Sequence, residues 1–494
     1  MPTVLATAPL SPPAVIIEPT ALRMLLGHRV AVHLLSPPSG IVFLSGFDEN
    51  VVRAIFNPVD RTVDVFGLHP GDTGVTIASQ DGLRAELIIS VQVSAGKADA
   101  STSINITGHP ASSIFVAEMA SRAALRVAYP LVGADVKIGF PDDVTDLAPD
   151  QTAIVNVPLD ITGPNYFAYH TTVAVRVTNF AQPQAAPRFM LVSDFPETIT
   201  EGGTLFYNDI TFDKPARLLY YHYAPPGAPL RRVLVKVANS GYDSSVLELI
   251  SGIAGPDADI LGVGHEATRR FLEHNVSGEG EVFEVPPSAT INVIDQLLPA
   301  DNLVCGLMQM RVISGPGLRV AVVVQDATAS PTEPISPTLL SSAVKHSRGI
   351  YQIPEFFYEE SYTVGAAPTL LSIGMLPLPN LVQGEVLGGD YGVLQSAEVN
   401  LLNPTSAPVD VGLWFEPRGG RATGTLFING DLVQLHPVDP MKDALIRRFL
   451  VPARGFVHVT LVTMPEGGSA YPVNLLFSSS PPPGAGWNLS TAVH

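Results

Sequence analysis

Imidazole and carboxylate side chains set close together are where acid–base or metal chemistry would first be sought, and His265, Glu266 and His274 come nearest to such a group in this sequence. A zinc-protease helix needs its second histidine four residues after the first, and Arg269 stands there instead. His274 would fall about 180° around a helix from His265, so the two rings cannot share an ion. An ordinary polar helix surface is expected. Asp142, Asp143, Asp146 and Asp150 follow Gly139–Phe140–Pro141 and crowd carboxylates onto one loop. Calcium prefers such oxygens, but the EF-hand spacing and its glycine are missing. A solvated turn is expected, and this loop is the first place to look for any metal, calcium before others. No other cofactor is implied.

The aromatic residues suggest a different chemistry. In Tyr220–Tyr221–His222–Tyr223, alternation along a strand sends Tyr221 and Tyr223 to one face and Tyr220 and His222 to the other. Glu355–Phe356–Phe357–Tyr358–Glu359–Glu360–Ser361–Tyr362 mixes aromatics with carboxylates, as sugar-binding surfaces do. Tyr221, Tyr223, Phe357 and Tyr358 are therefore the candidate glycan or partner contacts, set against ordinary cross-strand packing. A glycosidase needs two carboxyls about 5–10 Å apart across a cleft, which neighbours pointing to opposite faces of a strand do not supply. The single cysteine, Cys305, lies in Leu303–Val304–Cys305–Gly306–Leu307 and reads as a buried small hydrophobe. With one cysteine there is no intrachain disulfide and no cysteine-based zinc site. No P-loop, dinucleotide fingerprint, nucleophile elbow or Cys/His pair occurs, so no enzymatic activity is expected.

The elements that would position these residues are strands. Apolar and polar residues alternate along most of the chain, broken at short intervals by Pro, Gly, Asn and Asp, the pattern of half-buried antiparallel sheet. The expected fold class is all-β: tandem Ig-like or β-sandwich modules with one or two short helices. Val173-x-Val175-x-Val177-x-Asn179, Val233-x-Val235-x-Val237-x-Asn239 and Ala397-x-Val399-x-Leu401-x-Asn403 each give a strand ending in Asn. Asn tolerates the left-handed conformation and bonds to its own backbone two residues on, which suits the corner of a sandwich. Three corners predict three sandwiches beyond the first. The expected domains are a Pro-rich arm and first module over 1–97, a sandwich with an Ala-rich helix over 98–193, a sandwich over 194–326, a linker over 327–349, a sandwich over 350–477 and a flexible tail over 478–494. Ser113 to Tyr129 and His265 to Asn275 are the two expected helices, covering an edge or end of a sandwich.

The first module carries a resemblance. Strands at Val30–Leu34, Ile41–Leu44, Thr62–Phe66 and Ala85–Val93 flank Gly67–Leu68–His69–Pro70–Gly71–Asp72–Thr73. The closing strand follows Asp81–Gly82. Residues 16–93 thus resemble the bacterial Ig-like modules of adhesins and the N-terminal modules of pilus and secretin proteins. The resemblance implies a sandwich fold and a spacer or stalk role for this part alone.

Composition narrows the function. Of 494 residues only 15% are charged, against roughly 25% in an average soluble protein, and a sparsely charged surface favours association. The net charge of −18, without a basic cluster, excludes a phosphate-binding footprint and makes nucleic acid an unsuitable partner. No run approaches the ~18–20 apolar residues of a membrane-spanning helix, and no secretory signal is visible at the start of the chain. The expectation is a non-enzymatic structural or adhesive protein, extracellular or at the cell surface, assembling with copies of itself into a filament, layer or stalk. A carbohydrate-binding or glycan-active protein and a virion structural component are the alternatives. A deep pocket lined with converging carboxylates or imidazoles would overturn a purely structural role.

Overall fold

The computed structural model describes residues 15–35, 40–180, 182–212, 214–330, 332–483, 485 and 492–493. The Pro-rich arm lies almost wholly outside them, as do eight of the seventeen residues of the expected flexible tail. The chain is a multi-module all-β protein with two α-helices among the described residues, α1 (Ser113–Arg126) and α2 (Ile260–Ser277). Neither is long and apolar enough to cross a membrane. Two compact units are present: Met1–Ile104, Ser113–Asp146 and Thr152–Thr178 make one, and Asn105–Ser112, Leu147–Gln151 and Asn179–His494 the other.

In the first unit, the expected leading module is a sandwich of two four-stranded sheets. One runs Ile17–Glu18, Arg29–Leu34, Thr62–Gly67, Val52–Asn57, and the other Ala21–Leu25, Arg84–Gln92, Gly71–Ser79, Val42–Ser45. Inward positions alternate as the sequence demands, closing a core of Val32, Val63, Val65, Val75, Ile77, Leu87 and Ile89. The turn at Leu68–Pro70 carries the chain from one sheet to the other. Residues 98–193 depart from the expected second sandwich. Asp135–Ile138, Thr152–Thr162 and Tyr169–Asn179 form one antiparallel layer, and α1 lies against it with Phe115, Val116, Met119 and Ala123 buried. A helix face replaces the second sheet.

The second unit contains two sandwiches. The first pairs a sheet of Gly280–Val285, Ser245–Asp257, Asn302–Ser314, Ala216–Ala224, Phe189–Ser193 and Arg348–Tyr351 with a sheet of Gly203–Ile210, Leu318–Asp326, Arg231–Ala238 and Thr290–Leu298. Leu218, Tyr220, Val235, Leu249, Met308 and Val322 are among its core residues. The second sandwich packs the sheet containing Leu394–Leu402 and Phe456–Thr463 on that containing Val409–Pro417 and Val473–Ser478, around Val399, Leu413, Phe415, Leu461 and Phe477. The strand Ala492–Val493 adds to this sandwich beside Asp431–Val438, so part of the expected tail is sheet.

The expected boundaries at 193/194 and 327–349 fall in the wrong places. Phe189–Ser193 is not the end of a preceding module; it pairs in parallel with Ala216–Ala224 and antiparallel with Arg348–Tyr351. Its continuous apolar character is that of a strand buried on both faces. The expected linker is strapped down: Leu340 N–H donates to Thr204 O at 2.8 Å, and Lys236 Nζ to Glu333 O at 2.5 Å.

Helix α2 extends five residues before the expected start, through Gly262 and Gly264, to a cap at Asp259, whose Oδ1 accepts from Gly262 N–H at 3.1 Å. It does not sit on an edge. It packs face-on against Ser245–Asp257, burying Val263, Ala267, Phe271 and Leu272 with Ile250, Leu303, Cys305 and Leu307. The approach is close enough that a Cβ on Gly252 would collide with the backbone N of Phe271. Cys305 is buried, as the sequence predicts.

Candidate functional site

Strand register builds the site. Ser193 pairs with Arg348, so the residues just beyond the two strand ends come together, and Asp194 N–H donates to Ser347 O at 3.1 Å. This brings Asp194 and His346 to one point. The chain then turns through Phe195–Pro196, and Tyr223 N–H donates to Glu197 O at 2.9 Å while Ile199 N–H donates to Tyr223 O at 2.8 Å. Glu197 is thereby fixed beside Asp194.

His346 Nδ1 lies 3.0 Å from Glu197 Oε2 and 3.7 Å from Asp194 Oδ2. Among the described residues, Asp194, Glu197 and His346 are the one set of three His, Cys, Asp or Glu residues whose ligand atoms all lie within 4.8 Å of each other. Asp194 Oδ1 is buried and has no hydrogen-bond partner. Burial pushes the Asp194 carboxyl up to about 7, against the opposing pull of His346, and the neighbouring Glu197 charge adds to the rise. The His346 imidazole is raised by the Asp194 and Glu197 carboxylates beside it, against its partial burial.

These three groups line a pocket of about 550 Å³. Its other walls are Leu219 and Tyr221 from the sheet, Ile260 from the first turn of α2, Glu385–Gly388, Tyr391 and the loop Gly467–Ala470. Tyr391 Oη donates to Ser469 O at 2.8 Å and its ring meets Tyr471 edge-on, which fixes this wall. Gly468 has φ +77°, and a Cβ there would collide with Ile260 O. Lys345 also borders the pocket, its ammonium 4.8 Å from the Phe195 ring centre.

A second polar cluster lies within the same unit. His265 Nδ1 lies 2.9 Å from Glu466 Oε2, and Nε2 lies 3.1 Å from Gln434 Oε1. Glu466 is fully buried and accepts from Thr423 Oγ1–H. Burial opposes charge on His265, but the hydrogen bond and charge of Glu466 outweigh it and raise the imidazole.

The residues singled out from the sequence are mostly dispersed. Tyr221 borders the pocket. Tyr223 shares its face of the strand, as alternation requires, but donates to Asp301 Oδ1 at 2.6 Å. Tyr220 points into the opposite core. Phe357 is exposed, whereas Tyr358 packs on the other sandwich and donates to Gln395 Oε1 at 2.9 Å. Asp142, Asp143, Asp146 and Asp150 are exposed and form no such ligand set; Asp146 Oδ1 instead accepts from Ser113 N–H at the start of α1. Of the expected polar helix surface, Glu266 pairs with Arg269 and Arg270, and His274 Nδ1 lies 2.7 Å from Ser251 O. His265, by contrast, belongs to the buried cluster. Asp194, Glu197 and His346 were missed because their only common signal is the pairing of two strands far apart in sequence.

No family model matches the chain, and no curated protein does. Solved structures match at low similarity. A tri-modular endo-beta-1,4-glucanase from Bacillus licheniformis, complexed with cellotetraose, aligns at 12% identity and a TM-score of 0.14, over 33% of this chain and 38% of that one. The human desmocollin-1 ectodomain gives 9% identity and a TM-score of 0.13, over 36% and 42%. The SGBP-B protein of a Bacteroides ovatus mixed-linkage glucan utilization locus, in complex with a mixed-linkage heptasaccharide, gives 10% and 0.13, over 61% and 71%. The chain thus spans well under half the length of the first two. At these scores none of the three bears on what this chain does.

Proposed function

We propose that this chain is a binding protein whose second unit captures a hydroxyl-rich, saccharide-class ligand in the pocket beside Asp194, Glu197 and His346, while the first module serves as an Ig-like spacer. The observation that carries the proposal is the convergence of two carboxylates and an imidazole on a concave site also bordered by Tyr221 and Tyr391. Carboxylates accept from sugar hydroxyls, and aromatic rings cover the apolar faces of sugar rings. This convergence counts against a purely structural role, and binding without turnover accounts for it without a nucleophile. A glycan-array screen of the full chain tests the proposal. Binding that is lost in Glu197→Gln and Tyr221→Ala supports it, and an array blank at high protein concentration overturns it.

Self-assembly at a cell surface is a second proposal, favoured by a different observation. Phe43 and Ile88 are 57% and 61% exposed on one sheet of the first module, with Ile41 beside them at 62%. Exposed apolar groups on a sparsely charged module favour contacts with copies of the chain. Filaments or a lattice in micrographs of concentrated protein are expected, and a monodisperse monomer at high concentration rules this out.

A further inference from the structure

We propose that Asp194, Glu197 and His346 form a divalent transition-metal site, best suited to Zn²⁺ or Mn²⁺, with its remaining coordination positions open to the pocket. Two donors about 2.1 Å from one tetrahedral ion lie about 3.4 Å apart. The His346 Nδ1 separations of 3.0 Å and 3.7 Å from Glu197 and Asp194 bracket that value. The donor set itself points to the ion. One imidazole with two carboxylates suits Zn²⁺ or Mn²⁺ better than Ca²⁺, which takes six to eight oxygens, or Cu⁺, which prefers sulfur.

An independent observation comes from hydrogen bonding. Asp194 Oδ1 is buried without a partner, and an unpaired buried carboxylate oxygen is costly unless something fills its lone pair. A cation would do so. The electrostatics agree: two carboxylates and a neutral imidazole balance a divalent charge, and Glu385 borders the same pocket. Two cations stand close by, but the Lys345 ammonium and the Arg348 guanidinium both lie on the Phe195 ring, 4.8 Å and 4.6 Å from its centre. The backbone that carries the ligands is fixed as well. Asp194 is held by its own N–H to Ser347 O, and Glu197 by its carbonyl to Tyr223 N–H, so the ligands are fixed by the sheet rather than by the ion.

The inference deepens the proposed function, since the open positions would take ligand oxygens, but the ion is measurable alone. The test strips the full chain with chelator, removes the chelator, and titrates with Zn²⁺ and with Mn²⁺ by calorimetry. One equivalent is expected to bind, with affinity at least tenfold weaker in His346→Gln and in Asp194→Asn. His170→Gln, which removes an exposed imidazole–carboxylate pair on the first unit, is expected to titrate like the parent. A metal-dependent rise in melting temperature, present in the parent and absent in both site variants, separates lost ligation from failed folding. Titration of less than about 0.2 equivalent by either ion, or identical curves for parent and site variants, overturns the site and leaves an imidazole clamping two carboxylates. Glycan binding measured with and without chelator keeps the two proposals apart. Metal uptake with a blank array sustains the ion and removes the saccharide, and glycan binding unchanged by chelator without metal uptake does the reverse.

Discussion

His222 Nε2 lies 3.2 Å from Ser193 Oγ while its Nδ1 lies 3.0 Å from Pro196 O, so one fully buried imidazole fastens both ends of the turn that carries Asp194. The carbonyl requires a proton on Nδ1, and Nε2 is then the acceptor for the serine hydroxyl. The ring works in its neutral form.

That neutrality gives a pH signature. Burial pushes the His222 imidazole down to about 4, below its ordinary value of 6.5. The folded pKa is depressed, so the unfolded chain binds more protons between those values. The stability contribution is complete above about pH 6.5 and is lost as pH falls towards 4. His222→Gln is expected to remove up to about 3 kcal/mol of acid sensitivity, read as a smaller difference between urea midpoints at pH 7 and pH 4.5. An unchanged difference would show that His222 does not titrate in this way.

Asp390 gives the opposite sign. Burial pushes its carboxyl up to about 7 from 3.8, and Oδ1 has no partner. Its contribution is complete below about pH 4 and is lost as pH rises through 7. Asp390→Asn also keeps a residue that tolerates the positive φ of 50°. The variant is expected to be more stable than the parent at pH 8 by on the order of 2–4 kcal/mol, with little gain at pH 4. Thermal melts at the two pH values check it.

Two asparagine corners repeat the same bonding. Asn239 Oδ1 accepts from Gly241 N–H, and Nδ2 donates to Asp243 O and Val285 O; Asn403 Oδ1 accepts from Thr405 N–H, and Nδ2 donates to Ala407 O and Val451 O. Replacing either by alanine strands buried backbone groups and is expected to destabilise by about 2–3 kcal/mol. Asp, which keeps only the acceptor, is expected to recover little of that loss. Denaturant titration of the four variants decides it.

Gly468→Ala tests the pocket wall. The positive φ and the blocked space beside Ile260 O predict displacement of the 467–470 loop at a cost of about 1–3 kcal/mol. Far-ultraviolet circular dichroism should stay unchanged while binding in the pocket falls. Binding equal to that of the parent would show that the loop does not shape the site.

Sheet content, the first module and the two-faced tyrosine strand were legible because alternation is a local signal. Two of the three asparagine corners were legible too, through their bonding rather than a left-handed backbone: among the described residues none of the three has positive φ, and Asn179 Oδ1 has no partner. The site was hidden because its parts lie where the sequence looked unstructured. Asp194 fell on an expected boundary and His346 in an expected linker, and only the pairing of Phe189–Ser193 with Arg348–Tyr351 joins them. His265 and Glu466 likewise meet across 201 residues. Local spacing carries no trace of such encounters.

The strand Arg348–Tyr351 belongs to the sheet of one sandwich while the strand Glu355–Thr363, only a few residues on, belongs to the next. The junction is therefore short, and Leu219 and Leu307 of one sandwich share a buried cluster with Val393 and Met464 of the other. Pulled from its ends, this pair should give way in a single mechanical event rather than bead by bead, and a protease cut between 351 and 355 should release no independently folded half.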